Sequence, residues 1–332
     1  MQARRILDYI FITLKGMAMG AADVVPGVSG GTIAFISGIY EELITSINNI
    51  DLSLISILRK DGIKAVWNKV NGNFLLALFL GIFISVLSLA KFLSWLLENE
   101  PVLLWSFFFG LVLASVWYIG KQIPKWKPAY IVGFICSTVL AYVITTLTPA
   151  GETQSLLYLF FCGSLAICAM ILPGISGAFI LVLLGAYKQI LEAVSNFDFK
   201  VIAVVGLGAI VGLLSFSRLL KWLFNRYEFF TLSILTGFVL GSLNKIWPWK
   251  KTVSVMDKNS GEIVPFSSVS DQINLHAYHQ ISNDYETYKI VLEKSISPLE
   301  YSENPQLILP IILTIVGFLT IFILEKLSGN KA

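Results

Sequence analysis

The residues best suited to chemistry form one short run, Pro26-Gly27-Val28-Ser29-Gly30-Gly31-Thr32, with Asp23 three positions ahead of it. Proline ends an incoming helix, and glycine tolerates the torsions and close approaches of a tight reversal. A helix that restarts after such a break has unpaired amides, which favour negative charge. With the Ser29 and Thr32 hydroxyls beside them, Gly27, Gly30 and Gly31 describe an anion cradle whose obvious guest is phosphate. The run returns as Pro173-Gly174-Ile175-Ser176-Gly177-Ala178, where Gly174, Ser176 and Gly177 offer the same groups. The plainer alternative is that Pro and Gly merely permit a hairpin and close packing. Asp23 is an acid inside an apolar stretch, a functional candidate by default, and proton or sodium coupling is its natural role. Met170 stands at the matching position of the second copy, so that role is not symmetric.

Elements must hold the two runs, and their order follows from a duplication of the chain. In register with the motifs, Gly16, Ala22, Gly38, Tyr40, Asn49 and Asp51 match Gly163, Ala169, Gly185, Tyr187, Asn196 and Asp198. After an insertion in the first half, Gly81, Ser88, Lys91, Trp95 and Gly110 match Gly208, Ser215, Arg218, Trp222 and Gly237. Apolar runs long enough to span a bilayer, about 20 residues each, occur near 74–97, 102–119, 129–148, 200–220, 229–246 and 306–325. The uncharged stretch from Ser155 to Tyr187 is too long for one span and short for two. It reads as a re-entrant hairpin with Pro173-Gly174 at its apex, enclosed by protein because broken backbone at that depth cannot face lipid. Each half then holds one hairpin plus three crossings, and the odd number inverts the second half relative to the first. The expected fold is an all-α integral membrane protein, an inverted repeat with halves 1–150 and 151–332, whose site lies where the repeats meet.

Loop charges agree with this topology. Arg4, Arg5, Lys15, Arg59, Lys60, Lys64, Lys69, Lys121, Lys125, Lys127, Lys221, Arg226, Lys326 and Lys331 share one side, which the positive-inside tendency makes cytoplasmic along with both termini. Residues 51–71 mix apolar and basic positions as an amphipathic helix on the inner headgroups does. The polar segment 247–305 lies outside the repeat as an outer cap, with a hairpin turn expected at 257–261. Asp51 and Asp198 read as caps of the helices that follow, and Glu41 and Glu42 as surface acids. Lys91 and Arg218, each four residues before a tryptophan, stand toward opposite faces. They either receive a phosphate from each leaflet or snorkel beside an aromatic belt.

Only 14% of the residues are charged and 56% are hydrophobic, against about 25% charged in a soluble domain, so the charges cannot cover a water-soluble surface. A net charge of +3 is too small to point to nucleic acid. Cys136, Cys162 and Cys168 sit in apolar runs and imply neither disulfide nor metal. His276 and His279 have a spacing that a metal pair on a helix would use, but read as solvated; no cofactor is expected. The first residues imitate a secretory signal, but Asp8 and Lys15 interrupt it and its small-residue end lies inside the repeat.

The stretch from Gly16 to Tyr40, with Ala21-Ala22-Asp23-Val24-Val25-Pro26-Gly27-Val28-Ser29-Gly30-Gly31-Thr32 at its centre, and the Leu172-Pro173-Gly174-Ile175-Ser176-Gly177-Ala178 echo resemble the bacterial polyprenyl-phosphate transporter family. The resemblance covers residues 10–325 apart from the outer segment. It implies a protein of the bacterial cytoplasmic membrane that returns undecaprenyl phosphate from the outer to the inner leaflet, where the lipid carries peptidoglycan and other envelope polymers. A transporter or channel for a small soluble anion is the alternative from the motifs alone. An integral-membrane lipid phosphatase would want a histidine among the spans, and both histidines fall in the outer segment. The second motif ends in Gly-Ala and lacks the acid, so the two copies are not expected to do equal work.

Overall fold

The computed structural model describes residues 4–24, 29–147, 155–257, 262–269, 288–301 and 306–329. The Pro26-Gly27 apex, the turn at 258–261 and both histidines lie outside them. The first half runs α1 (Ile6–Val24), α2 (Gly30–Ile36), α3 (Tyr40–Asn48), α4 (Ser53–Lys69), α5 (Gly72–Asn99), α6 (Pro101–Lys121) and α7 (Pro128–Thr146). The second runs α8 (Leu156–Ile171), α9 (Gly177–Leu183), α10 (Tyr187–Ser195) and α11 (Phe199–Ser242), then β1 (Lys250–Asp257), β2 (Ile263–Pro265), α12 (Phe266–Val269), β3 (Tyr288–Ser295) and α13 (Ile308–Gly329).

Among the described residues four helices, α5, α6, α7 and α11, are long and apolar enough to cross a membrane, and α13 carries a shorter apolar stretch, Ile308–Phe322. The runs expected at 200–220 and 229–246 are two helices that meet without an intervening loop at a kink, Tyr227 (φ −140°, ψ 48°), within the 44 residues of α11. At about 1.5 Å per residue α11 is roughly twice as long as a 30 Å hydrocarbon core is thick. By contrast α2 and α9 have seven residues each, about 10 Å of helix, which cannot cross. The expectation of an all-α chain is corrected by the 247–305 segment, which holds a three-stranded antiparallel sheet in the order β2-β1-β3. Its β1–β2 hairpin closes with the Asp257 amide on the Glu262 carbonyl (2.9 Å), and Val255 and Val269 form its own small core. A sheet is affordable here because the segment is polar and leaves the apolar spans.

Glycine decides how the helices pack. Without side chains at Gly16 and Gly81, α1 and α5 approach so closely that a Cβ on Gly81 would run into the Thr13 carbonyl, and one on Gly16 into that of Leu78. The matching pair repeats this between α8 and α11, where Gly163 faces the Val205 carbonyl and Gly208 that of Phe160. Small residues allow such approach where lipid gives helices no hydrophobic reason to associate. The last helix of each half crosses over: Gly110 on α6 abuts Thr314 of α13, and Gly237 on α11 abuts Phe134 of α7. A shared core runs through α1, α2, α5, α6, α11 and α13, with Ala22, Phe74, Leu78 and Val239 fully buried. Outward, Leu76, Phe79, Phe83 and Leu87 of α5, and Val132, Ile135 and Val139 of α7, are exposed, far more apolar surface than a soluble protein leaves uncovered.

The amphipathic α4 buries nothing and exposes Leu52, Ile55, Leu58, Ile63 and Trp67 alongside Arg59, Lys60 and Lys64. It is broken at Gly62 (φ 76°). Asp51 accepts from the Ser53 amide (2.8 Å), and Asp198 from the amides of Lys200 and Val201 (3.0 and 3.2 Å), so both carboxylates cap helix starts. Glu42 is not a free surface acid: Arg4 grips it with two bonds (2.7 and 2.6 Å) and Asn71 adds a third (2.7 Å).

Gly81→Ala is expected to lower stability by about 1–3 kcal/mol through overpacking. Gly206→Ala, at a helical position with open space around it, should raise stability by about 0.5–1 kcal/mol. Thermal unfolding of both variants in detergent checks the pair; loss in both would mean that helix spacing is not what Gly81 secures.

Candidate functional site

The two motif copies touch. In the first, α1 ends at Val24 and α2 restarts at Gly30, with Ser29 as its cap: the Ser29 Oγ accepts from the Gly31 amide (3.1 Å). Asp23, at the end of α1, reaches over the break and its Oδ1 accepts from the Gly30 amide (2.6 Å). The cradle expected to hold an external anion thus already holds a carboxylate of the chain itself. Two amides at the start of α2 are taken by Asp23 and Ser29, and the Thr32 amide by the Ser29 carbonyl (2.9 Å).

From this first copy two side chains cross to the second. The Ser29 hydroxyl donates to the Met170 carbonyl (3.2 Å), and the Thr32 hydroxyl accepts from the Gly174 amide (2.8 Å). Ser29 and Thr32 are each 1% exposed. Both bonds go to backbone where α8 gives way to α9, a stretch with no helical partner of its own. Gly174 adopts φ +93°, and a Cβ there would strike Ser242 and the Phe238 carbonyl of α11. Gly31 likewise sits against the carbonyls of Met170 and Ile171. No larger residue fits at either of these contacts.

At the other end of the short helices the same carbonyl is satisfied twice by different chemistry. Lys15 Nζ donates to the Ser37 carbonyl (2.6 Å), where α2 ends; in the second half the Tyr158 hydroxyl donates to the Leu184 carbonyl (2.7 Å), where α9 ends. Lys15, counted among the loop cations from the sequence, stands instead in the middle of α1 and clamps the two limbs of the first motif.

Lys91 and Arg218 do not come to the motifs. Both are exposed, on α5 and α11, with Trp95 and Trp222 exposed one turn further on. The cation beside the motifs is Lys245. It lines a recess with Ile144, Thr145, Gly174, Ile175, Ser176 and Phe179, and its Nζ lies 4.9 Å from the centre of the Phe179 ring. Sequence reading passed over it because it falls in the last turn of an apolar run; a lone lysine so close to a span end was the available signal. Beyond it, Lys250 of β1 is almost wholly buried between the sheet and the helices, 3.8 Å from the Trp105 ring and paired with Glu293 of β3 at 3.7 Å. Burial lowers the Lys250 pKa to about 8 against the pull of Glu293, with Lys245 adding to the fall. Glu293 is held below the usual carboxylate range by Lys250 and Lys245 in spite of its burial. Among the described residues no cluster of His, Cys, Asp and Glu is arranged to hold a metal.

Thr32→Val should strand the Gly174 amide and cost about 1–3 kcal/mol, whereas Thr32→Ser keeps the acceptor and should cost much less. Thermal unfolding of the two variants reads the difference, and equal loss would remove the hydrogen bond as the cause. For the sheet, Lys250→Met should destabilise by about 1–3 kcal/mol by leaving the half-buried Glu293 without its partner. The double variant Lys250→Met/Glu293→Leu should recover most of that, as measured by protection of the 250–295 segment from proteolysis.

Comparison with known proteins follows the same residues. Positions 19–264 match the VCA0040-like family model, described as undecaprenyl phosphate translocase-like. The chain is 43% identical over 328 residues, 98% of each protein, to a polyprenyl-phosphate transporter of Vibrio cholerae serotype O1. It is 32% identical over 262 residues to a polyprenyl-phosphate transporter of Staphylococcus aureus, covering 73% of this chain and 88% of that one. No solved structure matches. Together with the apolar helices, these relatives mark a multi-pass membrane protein.

Proposed function

Because the chain belongs to the undecaprenyl phosphate translocase-like family, we propose that it is a flippase for undecaprenyl phosphate, returning the lipid from the outer to the inner leaflet of the bacterial cytoplasmic membrane. The relatives are named as transporters of polyprenyl phosphate, and the reading for this chain is transport without bond cleavage. The observation that carries the site is the pair of cross-motif bonds, Ser29 to Met170 and Thr32 to Gly174. They join the two breaks in helical backbone at one buried place, where a transported head group would find polar groups inside an apolar molecule. Substrate movement in repeat-built transporters proceeds by rocking one repeat against the other around such a place. The repeated close pairs, α1 on α5 and α8 on α11, are the natural rigid units, and α2 and α9, too short to cross, are the re-entrant limbs of an inverted repeat. In this reading both termini are cytoplasmic and the sheet is an outer cap.

Gly30 and Gly31 with Ser29 and Thr32, and Gly174, Ser176 and Gly177, form the walls of the head-group path. Lys91 and Arg218 are stopping points for the phosphate at the two faces. Asp23 supplies the coupling. Its carboxylate holds the Gly30 amide only while ionised or otherwise able to accept, so a proton or sodium ion arriving there loosens α2 from α1 and frees the motif to move. The tail of the lipid stays in the bilayer throughout, which sets this reading apart from a pore for a soluble anion.

Reconstitution into liposomes with labelled undecaprenyl phosphate tests the function by direct readout of transbilayer movement. Asp23→Asn is expected to slow it about tenfold or more, equivalent to about 1.4 kcal/mol or more, and to flatten its dependence on pH or sodium. Parent-like rates for Asp23→Asn across a range of both would take Asp23 out of the mechanism, and no movement by the parent would end the flippase reading.

A further inference from the structure

The two motif copies differ at the positions where they would meet an anion. Thr32, which accepts from Gly174, corresponds to Phe179 in the second copy, and Asp23 corresponds to Met170. The first copy is thus closed by its own carboxylate on Gly30. The second has no acid at that position, and in place of the hydroxyl it presents a ring over which Lys245 rests. Ser29 spends its side chain capping α2, whereas Ser176 makes no such bond to α9. Charge and hydroxyl are left in the recess on the second copy alone.

That recess is small, about 10 Å³ and room for roughly one water, so a head group enters it only as the Lys245 side chain swings off the Phe179 ring. Its lining is divided. Lys245, Ser176 and Thr145 supply a cation and two hydroxyls, while Ile144, Ile175 and Phe179 supply apolar wall. The lysine is also positioned. Asn244 beside it donates to Thr145 Oγ1 (2.9 Å), and Ser295 of β3 donates to the Asn244 carbonyl and Oδ1 (3.0 Å each). Among the described residues no carboxylate lies within ion-pair distance of Lys245; Glu293, the acid it influences, is paired with Lys250.

We propose that this recess is the binding station for the phosphate monoester of the lipid, with Lys245 as the cation that holds it and Ile144, Ile175 and Phe179 receiving the first carbons of the chain. The proposal rests on the transporter reading above. The Lys245 ammonium exchanges the ring face of Phe179 for phosphate oxygens, a favourable exchange because a charge-assisted hydrogen bond is stronger than an exposed cation–π contact. Ser176, whose hydroxyl caps nothing, donates to another of the oxygens, while Thr145 stays bound to the Tyr142 carbonyl and to Asn244. Only one of the two motifs therefore binds phosphate, and the other is occupied by Asp23.

The test measures binding of farnesyl phosphate, farnesol and inorganic phosphate to the purified full-length protein and to Lys245→Gln, Lys245→Arg and Lys251→Gln, by calorimetry in detergent. Lys245→Gln is expected to weaken farnesyl phosphate about tenfold or more, the loss for a hydrogen bond to a charged group. Lys245→Arg should stay within about threefold of the parent, which also shows that the site folds without lysine. Lys251→Gln should match the parent, and farnesol should bind equally weakly to every form. Inorganic phosphate should compete only at far higher concentration, since it lacks the carbons that the apolar wall receives. Parent-like binding of farnesyl phosphate by Lys245→Gln would overturn the station while leaving transport by the parent, and so the transporter reading, intact. Inorganic phosphate binding as tightly as farnesyl phosphate would overturn the lipid as occupant. Absence of any farnesyl phosphate binding by the parent would sink both readings.

Discussion

Backbone that leaves the helix inside a bilayer has no water to bond with, so each break must be sealed by the protein itself. The bond from the Gly174 amide to Thr32 Oγ1 is the point at which this constraint is met between the halves. It lets α8 stop and α9 start in the interior; Gly31 brings the first motif against the end of α8, while Gly174 lets the second break lie close on α11. The crowding around glycine, the capping of α2 by Ser29 and the clamps from Lys15 and Tyr158 are further answers to the same demand. Each supplies a donor or acceptor where a short helix has left one open.

Sealing a break and binding a ligand compete for the same groups. Asp23 on Gly30 and Thr32 on Gly174 stabilise the resting arrangement by using the amides that a phosphate would want. An anion can enter only where a group is not so used or where one of these bonds lets go. An ionisable side chain placed at one break and absent from the other is therefore a way to make two nearly equal halves behave differently, and the substitution of Met170 for that acid carries as much information as the acid itself.

The duplication and the broken runs were legible in the chain, and Gly16/Gly163 and Gly81/Gly208 stood out as repeated positions; that Gly16 and Gly81 serve one helix contact, and Gly163 and Gly208 its counterpart, is visible only once the helices are packed. The helix caps at Asp51 and Asp198 were legible as well. The contents of the 247–305 segment were harder. β1 finds β3 across the thirty residues 258–287, and nothing periodic announces that pairing. The two runs of α11 were legible as separate, but the sharpness of their junction was not, because Tyr227 breaks the helix by torsion alone, without the glycine or proline that usually marks a turn. Lys245 was overlooked because hydropathy averages a single charge away at the end of an apolar run. Its importance comes from neighbours contributed by α7 and α9, which no linear reading brings together.

The crossing of the last helices has a bearing on how such a chain is made. α6 is synthesised well before α13, the helix that fills its glycine face at Gly110, and α7 before α11. Each half therefore leaves a groove that only the other half fills, and the contacts that complete the two halves are exchanged between them.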